Sequence, residues 1–176
     1  MTRRAWLGSL IGLVSLLIFV FTVPRVRLLT HGARYTKPVK KLSMPVVGMT
    51  ARQARDTWHT SRPGRRQHEG IDLFATRGTP VVSATGGEVW RVGTDSLGGR
   101  VVSVLGDGPA LYYYAHLDDW APGLKVGQRV QPGTVLGVVG NTGNARTTPP
   151  HLHFGVYRVG WLKSSAVNPA PLLGVR

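Results

Sequence analysis

Six histidines occur in this 176-residue chain, and four of them sit where a ring nitrogen could do chemistry. His151-Leu152-His153 lies in the apolar run from Pro150 to Tyr157. In a strand, positions i and i+2 face one side about 7 Å apart at Cα. Two imidazoles would then converge on one small site while Leu152 and Phe154 turn into the core. His68-Glu69-Gly70-Ile71-Asp72 stops one residue short of the helical zincin pattern H-E-x-x-H, with Asp72 where the second histidine would stand. A fully extended strand would hold His68 and Asp72 about 13 Å apart, too far for one cation with ligand bonds near 2 Å. A helix is disfavoured by Gly70 and by Pro63-Gly64 upstream. A bend around Gly70 is the way to bring imidazole and carboxylate together. His116 follows the strand-like Leu111–Ala115 and is placed to add an imidazole at the rim. His31 and His59 read as ordinary surface or core histidines.

Histidine, aspartate and histidine form a nitrogen and oxygen ligand set suited to Zn²⁺, and three protein ligands leave one tetrahedral position for water. Spacing alone leaves open which of His151 and His153 binds. The chain has no cysteine, which excludes thiolate zinc fingers, iron–sulfur clusters, disulfides, a cysteine nucleophile and a cysteine-linked lipid anchor.

The elements that must position these residues read as short strands. From Pro80 onward, β-branched clusters recur between glycine turns, the all-β pattern. The expected strands are Val81–Ala84, Glu88–Val92, Arg100–Leu105, Leu111–Ala115, Val135–Val139 and His151–Tyr157. Gly86-Gly87, Gly98-Gly99 and Gly106-Asp107-Gly108 punctuate them. Only Thr50–Trp58 has helical character. Val82–Val89 with Leu124–Leu136 is similar to the half-barrels of biotinyl and lipoyl carrier domains. Those need a modifiable lysine at a hairpin tip, and no lysine occurs between Lys41 and Lys125.

Ordered phrases then point to one family. They are Arg62–Asp72 with its His68-Glu69-Gly70-Ile71-Asp72 ending, Gly78–Ala84, Tyr114-Ala115-His116-Leu117, Val126-Gly127 with Val130, Val139–Gly143, and Pro150–Phe154. Over about Asp56 to Leu173 the chain resembles the lysostaphin/LytM-like zinc metallopeptidases, peptidase family M twenty-three. The resemblance implies a mainly β, antiparallel half-barrel peptidase domain that hydrolyses peptide crosslinks of bacterial peptidoglycan. It places the zinc ligands on His68, Asp72 and His153 and two non-ligand active-site histidines on His116 and His151. The sequence departs mildly from the family pattern at Gly99-Arg100 and at Gly155, neither of them a ligand. Glu69 is a weak candidate for a zincin-like base, since a tight bend points it away from Asp72. Tyr113 and Tyr114 are candidate donors to an oxyanion.

The N-terminus carries a different message. Ala5 to Val23 is a 19-residue run without a charge, close to the roughly 20 residues that span a bilayer and longer than a signal-peptide core. The expected organisation is a cytoplasmic residues 1–4, a single transmembrane helix (or a cleaved signal) over 5–23, a basic linker over 24–45 and the peptidase domain over 46–176. The net charge is +14 from 22 basic and 8 acidic residues. Eight of the basic side chains fall in residues 1–45, which hold no acid, leaving 14 against 8, a net of +6. The excess belongs largely to the leader, and no dense basic stripe interleaved with stacking aromatics marks a nucleic-acid surface. Flanking charges are ambiguous about orientation. The expected location is the cytoplasmic membrane, single-pass, with the domain on the periplasmic or wall side, where its substrate lies. The alternative is a non-enzymatic wall-binding or hydrolase-activating module. Whether residues 42–60 cover the cleft is left open by the sequence.

Overall fold

The structure, a computed structural model, describes residues 24–35, 37, 39–160 and 163–175. Its elements are helix α1 (Pro24–Gly32), strands β1 (Ser61–Arg62), β2 (Arg66–Gln67), β3 (Ile71–Phe74), β4 (Pro80–Val82), β5 (Gly87–Asp95), β6 (Gly99–Gly106), β7 (Ala110–Trp120), β8 (Arg129–Val130), β9 (Val135–Val139), a 3-10 turn (Gly143–Ala145), β10 (His151–Arg158), β11 (Ser165–Val167) and helix α2 (Ala170–Leu173). Strands β1 and β2 form a hairpin of their own. The other nine make one sheet in which β11, β10, β7, β6, β5 and β8 run in that order, β3 adds to β10, and β9 joins β7 to β4. Every pairing is antiparallel.

Alternation decides which face each strand buries. In β10, Leu152 and Phe154 are fully buried, and in β3 so are Ile71 and Leu73. They join Val104, Tyr112, Tyr114, Leu117 and Leu136 in the core. Burying each such aliphatic or aromatic side chain contributes roughly 1.5–3 kcal/mol. With these four facing inward, the period of two sends His151, His153 and Asp72 to the opposite face.

Strand β7 changes partners part-way. Residues 110–115 pair with β10, while Leu117–Trp120 pair with β9. The change falls at His116, which has φ of +64° and whose N–H bonds to the Gly98 carbonyl at 2.7 Å. The β6 register slips at the same point, from Arg100↔Leu117 to Val102↔Tyr114. Such a bulge re-aims a side chain, and here that side chain is an imidazole.

The six expected strands all form, most of them longer than expected. The expected helix at Thr50–Trp58 does not: these residues make turns. Thr50 ties to Gln53 by backbone and side chain. Asp56 accepts the Trp58 N–H in a local turn, then takes a hydrogen bond from Asn168. Side chains that bond to nearby backbone compete with helix, and these outcompete nine residues of weak periodicity. The stretch read as a linker divides. Residues 24–32 form α1, while Leu42 is buried, donates its N–H to the Leu172 carbonyl, and lies in the core with Val46. The expected membrane segment 5–23 lies outside the described residues, and among the described residues no helix is long and apolar enough to cross a membrane.

Candidate metal centre and active-site groove

The bend expected at Gly70 is there, and it brings His68 Nε2 to 3.1 Å from Asp72 Oδ1. Strand β3 then lies against β10 with Asp72 directly opposite His153 and Phe74 opposite His151. His153 Nδ1 stands 3.2 Å from Asp72 Oδ1 and 2.8 Å from His68 Nε2. Three donor atoms from residues up to 85 apart therefore form a triangle with edges of 2.8, 3.1 and 3.2 Å. Donors on a tetrahedral ion with bonds of 2.0–2.1 Å would be spaced about 3.3–3.4 Å apart, so the triangle is close to a ligand set. All three residues are largely buried, with side-chain exposures of 4%, 7% and 15% for His68, Asp72 and His153. A buried carboxylate beside two imidazoles is otherwise a costly arrangement.

The tautomers fit a metal as well. His68 donates its Nδ1–H to the Thr57 carbonyl at 2.7 Å, so Nε2 presents a lone pair to the triangle. Thr57 does a second job, because its Oγ1 accepts the Asp72 N–H at 3.0 Å. Nothing in the sequence marks Thr57; it lies eleven residues before His68 in what read as a helix. Gly70 makes room for the cluster. A Cβ there would stand 2.7 Å from His153 Cε1 and 2.7 Å from the Phe154 carbonyl oxygen, closer than side chains tolerate.

His116 and His151 flank the triangle. His116 donates Nδ1–H to the Thr142 carbonyl and His151 to the Pro149 carbonyl, both at 2.9 Å. Each Nε2 is left as an acceptor, and that of His151 is 3.8 Å from Asp72 Oδ1. The two rings meet edge to face at 4.9 Å. Thr142 and Pro149 are further residues the sequence did not single out, and they act through backbone carbonyls that no residue pattern reports.

Electrostatics follow from burial and crowding. Burial lowers the His116 pKa to about 4, helped by His151 and His153, so its imidazole is neutral at neutral pH. His153 is lowered too, chiefly by burial. Burial pushes the Asp72 carboxyl up, but the His153 and His68 rings beside it outweigh that and hold it well below the usual carboxylate range. The Arg62 guanidinium also pairs with Asp72 Oδ2.

These residues open onto a groove of about 1270 Å³. The β1–β2 hairpin lines it, as do residues 95–98, Asn144, Ala145, Thr147 and Thr148. None of residues 42–60 lines the groove; Thr57 meets the metal centre through its carbonyl, which accepts from His68, and its Oγ1, which accepts from the Asp72 N–H. Glu69 is exposed, and no hydrogen bond joins its carboxylate to the histidines among the described residues. Tyr114 is fully buried, its hydroxyl accepting the Ala84 N–H, which removes it as an oxyanion donor. Tyr113 lines the groove but gives its hydroxyl proton to Asp95 Oδ2 at 3.0 Å.

The comparisons with known proteins agree with this geometry. The profile of Peptidase family M23 matches residues 66–169. The chain belongs to this family. It is 40% identical over 126 residues to the L-Ala--D-Glu endopeptidase of Bacillus subtilis (strain 168), an alignment covering 68% of this chain and 39% of that protein. Among solved structures, the catalytic domain of lysostaphin from Staphylococcus simulans aligns with a TM-score of 0.58 at 29% identity, over 69% of this chain and 89% of that one. A zinc-containing peptidase from Vibrio cholerae aligns with a TM-score of 0.58 at 28% identity, over 72% and 39%. The chain spans well under half the length of the curated relatives it matches.

Proposed function

We propose that this M23 peptidase is a zinc-dependent endopeptidase that hydrolyses peptide crosslinks of bacterial peptidoglycan. The convergence of His68 Nε2, Asp72 Oδ1 and His153 Nδ1 carries the reading, because three neutral or anionic donors with a corner to spare are what a hydrolytic zinc site needs. When bound there, Zn²⁺ supplies a Lewis acid and an activated water near neutral pH. The protein's own groups do the rest. His116 and His151, each with Nδ1–H held by a carbonyl, accept a proton at Nε2 and return it to the leaving amine. Their fixed rings need no reorientation between the two steps, and the groove aligns an extended peptide along them. That all three ligands and both flanking histidines are in place favours an enzyme over a non-catalytic wall-binding module. The relatives' names support the substrate class: they include an L-Ala--D-Glu endopeptidase, a glycyl-glycine endopeptidase and a peptidoglycan DD-endopeptidase.

The apolar run 5–23 is proposed as the membrane anchor, with residues 1–4 in the cytoplasm and the domain on the wall side. Protease treatment of intact and opened cells tests that topology. For the activity, full-length protein is incubated with purified sacculi, and new peptide ends are counted alongside zinc content by elemental analysis. One zinc per chain and chelator-sensitive release are expected. Native, zinc-loaded protein that releases nothing would refute the enzymatic reading.

A further inference from the structure

We propose that the β1–β2 hairpin is a carboxylate-reading lip of the groove, in which Arg65 and Arg66 hold a free carboxylate of the peptide stem beside the scissile amide. The proposal rests on the endopeptidase reading above. Two breaches of local stability rules, side by side at the groove's edge, point to it. Arg62 and Arg66 are direct cross-strand partners, and like charges placed opposite each other destabilise a hairpin. Arg62 is answered by Asp72, whereas among the described residues Arg66 has only a hydrogen bond from Nε to the Pro63 carbonyl at 3.3 Å. Arg65 has φ of +59°, directly after Gly64 at +79°. Glycine is the residue this left-handed position favours, and an L side chain there is strained.

Neither cost is recovered among the described residues. No ion pair joins Arg65 or Arg66 to a carboxylate among the described residues, the exposed Glu69 included. Across the groove, Asp95 is already satisfied by the Tyr113 hydroxyl, the Gly98 N–H and Arg91. Both arginines line the same groove as His68 and Asp72. Arg62 pins their hairpin to the metal centre through Asp72, so the free guanidinium pair is held at a set place along the bound peptide. An anion lodged between Arg65 and Arg66 would relieve the cross-strand repulsion and give the left-handed arginine its function. The peptide stems of peptidoglycan carry free carboxylates that can supply that anion.

The test uses two crosslinked stem peptides that differ only in a carboxylate or carboxamide next to the scissile bond. Binding to zinc-loaded full-length protein is measured by calorimetry, and cleavage by chromatography. The wild type should favour the acid form roughly three- to tenfold, the range for two exposed charge pairs, and the preference should shrink at high salt. In Arg65→Gly/Arg66→Gln the preference disappears through KM while kcat is retained. Thermal stability should not fall, because glycine relieves the strained φ. Equal binding of acid and amide by the wild type, or a preference that survives in the variant, overturns the lip. Cleavage of neither peptide refutes the endopeptidase reading separately, and the binding preference still decides the lip.

Discussion

Replacing Thr57 with valine tests whether the metal centre depends on a residue that contributes no ligand. The substitution keeps the side-chain shape and leaves the carbonyl that accepts His68 Nδ1–H, but it removes the Oγ1 that accepts the Asp72 N–H at 3.0 Å. Asp72 is 7% exposed, so its N–H loses a partner that water cannot readily replace, a cost of about 1–3 kcal/mol. A backbone shift that recovers the hydrogen bond would tilt the carboxylate away from His153, directly opposite it. Groups that orient metal ligands typically carry 10–100-fold in affinity, which is about 1.4–2.7 kcal/mol. The two estimates overlap. Zinc affinity is read by competition with a chromogenic chelator, and stability by denaturant midpoints with and without zinc. Thr57→Val should bind zinc 10–100-fold more weakly, and Thr57→Ser, which keeps the oxygen, should lie within about threefold of wild type. A valine variant that holds zinc as tightly as wild type and unfolds at the same denaturant concentration would refute the reasoning.

Gly70→Ala should fold yet bind less than one zinc per chain, because the new methyl meets His153 Cε1 and the Phe154 carbonyl at 2.7 Å; full zinc occupancy with unchanged affinity would contradict this. Tyr114→Phe orphans the buried Ala84 N–H and should cost about 1–3 kcal/mol of stability, while kcat/KM of the folded protein stays unchanged; a lost kcat would return Tyr114 to the chemistry. His116 titrates near 4 when folded and near 6.5 when unfolded, so below pH 6.5 the unfolded chain takes up the proton first. Its contribution is full above pH 6.5 and is lost as pH falls toward 4, by up to about 3 kcal/mol. The metal-free protein should show that slope in denaturant titrations, and His116→Gln should flatten it; parallel profiles would exclude His116 as the cause.

Much of this was legible before any fold was known. Period-two alternation in Pro150–Tyr157 places His151 and His153 on one face, because successive strand residues must point oppositely. The pairing of His68 with Asp72 demands a bend, and Gly70 marks where. The strands from Val81 to Tyr157 announce themselves through β-branched runs between glycines. The short pieces were silent. β1, β2 and β8 span two residues each, and Thr50–Trp58 carries a helical look that local hydrogen bonds undo. Residue types also misdirect where reach decides: Tyr114 is a good donor by chemistry, yet it is buried in the core on Ala84.

The amino-acid sequence by itself determined the donor set, its same-face spacing in β10 and the family phrases, since those depend on residue identity and on periods of a few residues. Only the tertiary structure decided that Asp72 stands opposite His153, that a bulge turns His116 toward the groove, and that Thr57, Thr142 and Pro149 fix the imidazole tautomers. Those facts are set by strand register and backbone carbonyls contributed from distant parts of the chain, and no local pattern of side chains encodes where a carbonyl oxygen will lie.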